Sequence, residues 1–83
     1  MKAIYFAWIR ERIGKTKAGL APPAVVSTVD GLMAWLTRQR DGYAYAFEKA
    51  AVVRAAIDRR HVRHDAPITG AREIAFFPSM TGG

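Results

Sequence analysis

The stretch "STVDGLMAWLTRQR", Ser27 to Arg40, decides the fold class, because it is the one long helical pattern set among segments that read as strands. Val29, Leu32, Met33 and Leu36 fall at i, i+3, i+4 and i+7, which lines one helical face with apolar side chains. Ser27 and Thr28 are both suitable N-caps, and Arg38 and Arg40 lie near the C-terminal end, where cations are favoured. Gly31 weakens the first turn a little. The Asp41-Gly42 pair is expected to stop the helix.

Upstream of this helix, Pro22 and Pro23 cannot donate to a sheet ladder, so they end whatever strand precedes them. "KTKAGLA", Lys15 to Ala21, reads as a short strand that pairs back across a turn at Gly14. "KAIYFAWI", Lys2 to Ile9, is aromatic and β-branched and reads as the first strand. Both of its faces are apolar, so it is expected either to lie between two layers or to meet a partner on its outer side.

Downstream, "YAYAFEKA" reads as a short helical segment, "AVVRAAID" as a strand with Val53, Ala55 and Ile57 on one side, and "HVRH" as a short partner strand. "DAPITG" is a loop by its proline and glycine. "REIAFF" is the last strand, closed by Pro78. The order is that of an α+β domain: a mixed sheet of about five strands with one main helix packed across one face. The expected core holds Tyr5, Ile9, Leu32, Leu36, Ile57, Ile74 and Phe76.

Eighty-three residues make one domain, and 51% hydrophobic content suits a folded one. The chain has no cysteine, so neither disulfides nor thiolate metal sites can stabilise it. No apolar run is long enough to span a bilayer, and the expectation is a soluble cytoplasmic protein. The net charge of +6 is concentrated in "RAAIDRRHVRH", where Arg54, Arg59, Arg60 and Arg63 face only Asp58.

The chemical constellations are sparse. "GKT" at Gly14 to Thr16 lacks the earlier glycine of a phosphate-binding loop, since Ile9 stands there. His61 and His64, three apart on a strand, point to opposite faces and have no acidic or thiol cluster beside them; they read as exposed histidines on a basic strand rather than metal ligands. Ser27 and Ser79 lack a nucleophile frame. Tyr43 and Tyr45, together with the arginines, supply the parts of a nucleic-acid surface, stacking rings and phosphate-neutralising cations, although no recognition motif accompanies them.

The end of the chain, "FFPSMTGG", is different in kind. Phe76 and Phe77 must point to opposite faces of a strand, so one enters the core and the other remains for a partner. Pro78 stiffens the segment that follows, and no side chain after Glu73 is charged. Two glycines without Cβ atoms can enter a channel that closes around bare backbone. A domain over 1–77 with an extended, flexible tail over 78–83 is expected, its C-terminal carboxylate presented at the tip.

Taken together, "YFAWIRERIG", "STVDGLMAWL", "RAAID" and above all "EIAFFPSMTGG" resemble the small subunit of molybdopterin synthase, a sulfur carrier of the ubiquitin-like β-grasp group, along nearly the whole chain. Ser79 stands where the family often has a second proline, Arg72 where the turn is often acidic, and the overall charge is positive where many members are acidic.

The resemblance implies a β-grasp fold that is not catalytic alone and holds no cofactor or metal. ATP is used by its activating partner, an adenylyltransferase of the ubiquitin-activating type. Gly83 would be adenylated there and converted by a sulfur donor enzyme to a thiocarboxylate. Gly82 would thread the tail into the large, catalytic synthase subunit, and Pro78, Ser79, Met80 and Thr81 would steer it. Phe77 and Phe6 would form the apolar contact patch. A carrier for thiamine, tungsten-cofactor or other thiolation chemistry would look much the same, and a small basic nucleic-acid-binding module or a plain adaptor domain stands further off.

Overall fold

The apolar N-terminal run divides between a strand and a helix. In the computed structural model, which describes residues 1–79, β1 spans Lys2–Tyr5 and α1 spans Ala7–Ile13, with Phe6 extended between them. This corrects the single strand expected from Lys2 to Ile9. Ala7 turns the chain with a left-handed φ of 53°. Ile9 and Ile13, one helical turn apart, then face the core, and Gly14 closes the helix at φ 87° with its N–H on the Arg10 carbonyl. That spacing and that glycine were the helical signals, and the continuous apolar run concealed them.

The remaining elements are β2 (Lys17–Gly19), α2 (Val29–Thr37), α3 (Asp41–Ala46), a 3-10 turn (Ala50–Val52), β3 (Val53–Ile57), β4 (Arg60–Val62) and β5 (Glu73–Pro78). The five strands form one sheet in the order β2-β1-β5-β3-β4. β1 and β5 are parallel, and the other neighbours are antiparallel. With α2 across the inner face this is the expected α+β, β-grasp arrangement, and α1 and α3 add to the same side of it.

Helix α2 forms as the sequence pattern dictates. The Thr28 side chain accepts from the Gly31 N–H at 3.0 Å. Two more of the amides that a helix start leaves unpaired are taken up by backbone carbonyls, Val29 N–H by Ala66 and Asp30 N–H by His64. Asp41 and Gly42, expected to stop the helix, instead open α3 after Arg38 caps α2. Gly42 is needed there because α3 runs hard against the end of α1: a Cβ at Gly42 would lie 2.9 Å from the Arg12 carbonyl oxygen.

The core sits between the sheet and the three helices. Tyr5, Ile9, Leu32, Leu36, Ile74 and Phe76 are fully buried, as are Val29 and Val53. Ile57, at the end of β3, is only half-buried against them. Tyr5, Tyr43, Phe47 and Phe76 form a chain of ring contacts with centroids 5.1–6.3 Å apart. The Tyr5 and Tyr43 hydroxyls meet at 2.6 Å inside it, so neither is left unpaired. Burial, and then this hydrogen bond, holds the Tyr5 hydroxyl well above its ordinary pKa.

A two-residue hairpin joins β3 to β4 with both φ values positive, 48° at Asp58 and 72° at Arg59, the combination a type I′ turn requires. Asp58 offsets that backbone cost by accepting from the Arg72 and Glu73 N–H groups at 3.1 and 3.0 Å, which ties the hairpin tip to the start of β5. No helix among the described residues is long and apolar enough to cross a membrane.

Candidate docking face and tail exit

Sheet register decides which side chains share the outer face. Tyr5 is paired with Phe76 and both point into the core, so their successors Phe6 and Phe77 emerge on the opposite side. Phe6 donates its N–H to the Phe76 carbonyl at 3.1 Å and is 45% exposed. Phe77 is half-buried and stands opposite Arg54 on β3. One step back lies a row that runs Lys17, Ile4, Ala75, Ala56 and His61 across the sheet. The outer face is therefore apolar in the middle, at Ile4, Ala75, Phe6 and Phe77, with cationic or titratable side chains beside it. Phe6 and Phe77, expected from the sequence to form an apolar contact patch, thus lie on the same face of the sheet.

The described chain stays attached beyond the phenylalanines. Pro78 is the last residue of β5, opposite Val53, and Ser79 donates its N–H to the Val52 carbonyl at 2.9 Å. Backbone pairing therefore holds the segment through Ser79. Met80, Thr81, Gly82 and Gly83, the tail-steering and reactive positions expected from the sequence, lie outside the described residues.

The histidines play different parts. His61 is exposed and its ring packs on Phe77 with centroids 5.0 Å apart. His64 is half-buried, which corrects its reading as an exposed residue, and its Nε2 lies 2.7 Å from the Val53 carbonyl oxygen. Continuing the Ala55–Val62 register by two residues puts His64 opposite Val53. A carbonyl only accepts, so the imidazole N–H serves here as the next rung of the β3–β4 ladder where the backbone pairing has ended. Nothing in a two-histidine spacing could have revealed this role. It depends on where β4 stops.

The aromatic residues expected beside the arginines as stacking groups are placed otherwise. Tyr43 is in the core. Tyr45 is 53% exposed, but the Arg12 guanidinium sits over its ring at 4.1 Å and over Trp8 at 4.8 Å. The same guanidinium bonds the Tyr45 carbonyl at 3.0 Å and the Glu48 carboxylate at 3.2 Å, so this group fastens α1 to α3. Asp58, Arg59, Arg72 and Glu73 line an open depression at the hairpin end of the sheet, where one Asp58 carboxylate oxygen already accepts two backbone hydrogen bonds.

Comparison with known proteins follows the same lines. The model of the ThiS family matches residues 3–83. A molybdopterin synthase sulfur carrier subunit of Escherichia coli is 36% identical over 83 residues, covering all of this chain and 99% of the relative. One of the same name from Haemophilus influenzae is 30% identical with the same coverage. Among solved structures, SAMP1 from Haloferax volcanii superposes with a TM-score of 0.71 at 18% identity, covering all of this chain and 98% of the other. A protein titled as molybdopterin converting factor subunit 1 from Pyrococcus furiosus gives 0.73 at 21% identity, with 94% of each chain covered. Those two share the fold. On the family match and the full-length relatives, this chain belongs to the ThiS family.

Proposed function

We propose that this chain is the sulfur carrier of a molybdopterin synthase, with the C-terminal carboxylate of Gly83 as the group that is loaded and spent. The observation that carries the reading is the full-length likeness to relatives of that name, which extends through the Gly82-Gly83 end. The apolar Phe6–Phe77 face, fixed beside the departing chain by core packing, supports it.

The chemistry follows from what a carboxylate lacks. Its charge is spread over both oxygens, so it is a poor acyl electrophile, and an ATP-dependent adenylyltransferase converts it to an acyl adenylate with pyrophosphate as the other product. Sulfur delivered at the sulfide level by a donor enzyme attacks the acyl carbon, AMP leaves, and a thiocarboxylate remains on Gly83. The large synthase subunit then receives the tail, the soft sulfur attacks cyclic pyranopterin monophosphate, and water cleaves the resulting thioester to return the Gly83 carboxylate; two loaded carriers furnish the two dithiolene sulfurs.

This chain's own part is positional. The β-grasp body docks through Phe6 and Phe77, and holding the carrier there makes the sulfur transfer effectively intramolecular. Glycine at 82 and 83 leaves the acyl carbon uncrowded. Pro78 and Ser79, held against β3 and the turn before it, anchor the start of the tail on the sheet.

The test is an intact mass of the protein taken from a cell that contains the pathway. Part of the population should carry the increment of one oxygen replaced by sulfur, localised by fragmentation to Gly83. Deleting Gly83 should abolish that increment and cofactor sulfuration while leaving the melting temperature unchanged. Full sulfuration by a chain extended past Gly83, with the extension still attached, would refute the proposal.

A further inference from the structure

Arg54 is an outer-face cation, set inside the sheet, that has no ion-pair partner among the described residues. Arg54 lies on β3, which is flanked by β5 and β4, so the side chain does not hang from a sheet edge. It is exposed and stands opposite Phe77, on the proposed docking face. Continued register places Arg63 on its other side. Neither of the two ion pairs among the described residues involves Arg54: Arg12 pairs with Glu48, and Arg63 reaches Asp65 at 3.7 Å.

Among the described residues no carboxylate pairs with Arg54, and Asp65 is paired with its neighbour Arg63. Asp58 and Glu73 each lie four residues along their strands from the Arg54–Phe77 pair, about 13 Å away at the usual strand rise. One oxygen of Asp58 is also occupied by the Arg72 and Glu73 amides. A partner that covers Phe6 and Phe77 must therefore strip water from a guanidinium that has no ion-pair partner among the described residues. Desolvating an unpaired charge costs several kcal/mol, enough to offset most of what the two phenylalanines contribute. The cost is avoided if the partner brings a carboxylate, which a guanidinium binds in a bidentate fork.

We propose that the protein surface this carrier docks onto sets an aspartate or glutamate against Arg54, at the border of an apolar pocket that takes Phe77. This rests on the docking reading above and specifies the chemistry of the partner. The chain's +6 net charge acts in the same sense, drawing an acidic partner in from a distance.

The experiment measures binding of the full chain to the large synthase subunit of the same organism by calorimetry, at low and at high salt. Because the Arg54 side chain is exposed and in no ion pair among the described residues, its variants should melt as the wild type does. Arg54→Met is expected to weaken binding by roughly 10- to 100-fold, the size of a charged hydrogen bond, and to flatten the salt dependence. Arg54→Lys should fall between, since it keeps charge and loses the fork. Arg54→Met binding as tightly as wild type, or tighter, overturns the proposal, for the arginine would then merely bend out to water. Arg54-dependent retention on an oligonucleotide, with subunit binding unchanged, overturns it as well and assigns the guanidinium to phosphates. A wild-type chain that does not bind the subunit at all sinks the docking reading and this proposal together.

Discussion

Replacing Gly42 by alanine sets two known effects against each other, and the structure says which wins. On helix propensity alone, the added methyl inside α3 should stabilise the protein by up to about 1 kcal/mol. The space is not there. The new Cβ would meet the Arg12 carbonyl oxygen at 2.9 Å, the Ile13 carbonyl oxygen at 3.1 Å and the Ile13 Cα at 3.2 Å. All three are backbone atoms, so no side-chain rotation relieves the contact and α3 must withdraw from α1. α3 carries Tyr43 and leads into Phe47, whose rings pack against Tyr5 and Phe76. Overpacking of this kind costs roughly 1–3 kcal/mol, so the net expectation is a loss of about 1–2 kcal/mol after the propensity gain. For a domain of this size that lowers the melting temperature by roughly 5–15 °C. Urea denaturation with far-UV detection gives the free energy, and near-UV circular dichroism reports the tyrosine cluster. A Gly42→Ala variant as stable as wild type, or more so, would refute the close approach of α1 and α3.

Two further outcomes concern the buried hydroxyl and the ladder histidine. The folded state raises the Tyr5 pKa, so the neutral phenol is favoured in the native protein. Its contribution is fully present below the ordinary tyrosine value of about 10 and is lost as pH rises above that. The urea midpoint should therefore fall with increasing pH through the alkaline range, and Tyr5→Phe should flatten this limb at a neutral-pH cost of about 1 kcal/mol for the Tyr43 hydroxyl left behind. An equally steep limb in Tyr5→Phe would place the titration elsewhere. His64→Ala removes the donor to the Val53 carbonyl and should cost about 1 kcal/mol, with faster amide exchange at Ala55 and Ser79, the neighbouring rungs. Unchanged exchange at both would mean that the imidazole does not hold the start of β3.

How much of this was legible in the sequence depended on whether the signal was local. α2 could be read directly, because its stripe, its Thr28 cap and its position between strands all agree. So could the opposite facing of Phe76 and Phe77, which strand geometry imposes on any adjacent pair. The β1–α1 break was hidden because aromatic and β-branched residues continue through Phe6 and Trp8 while the turn depends on one backbone angle at Ala7. Asp41-Gly42 was misread for a related reason: a glycine that ends helices by conformation can also begin one where a neighbouring helix leaves no room for Cβ. The environment of Arg54 was beyond reach until pairing showed that β3 lies inside the sheet and that Phe77 is its neighbour.

The strand that joins the core and the proposed docking face is β5. It pairs on both sides, with β1 in parallel and with β3 antiparallel, and its side chains alternate between the two faces. Ile74 and Phe76 are fully buried, while Ala75 and Phe77 look outward. A slip of β5 by one residue against both neighbours would place Phe77 in the core and Phe76 outside, and would move the Ser79 amide off the Val52 carbonyl. The burial of Phe76 against Tyr5 and Phe47 thus opposes the slip, although all three side chains lie in the core and not on the outer face. Core packing and the outward placement of Phe77 are for this reason a single property of β5, and a substitution that loosens Phe76 should impair the proposed docking before it unfolds the domain.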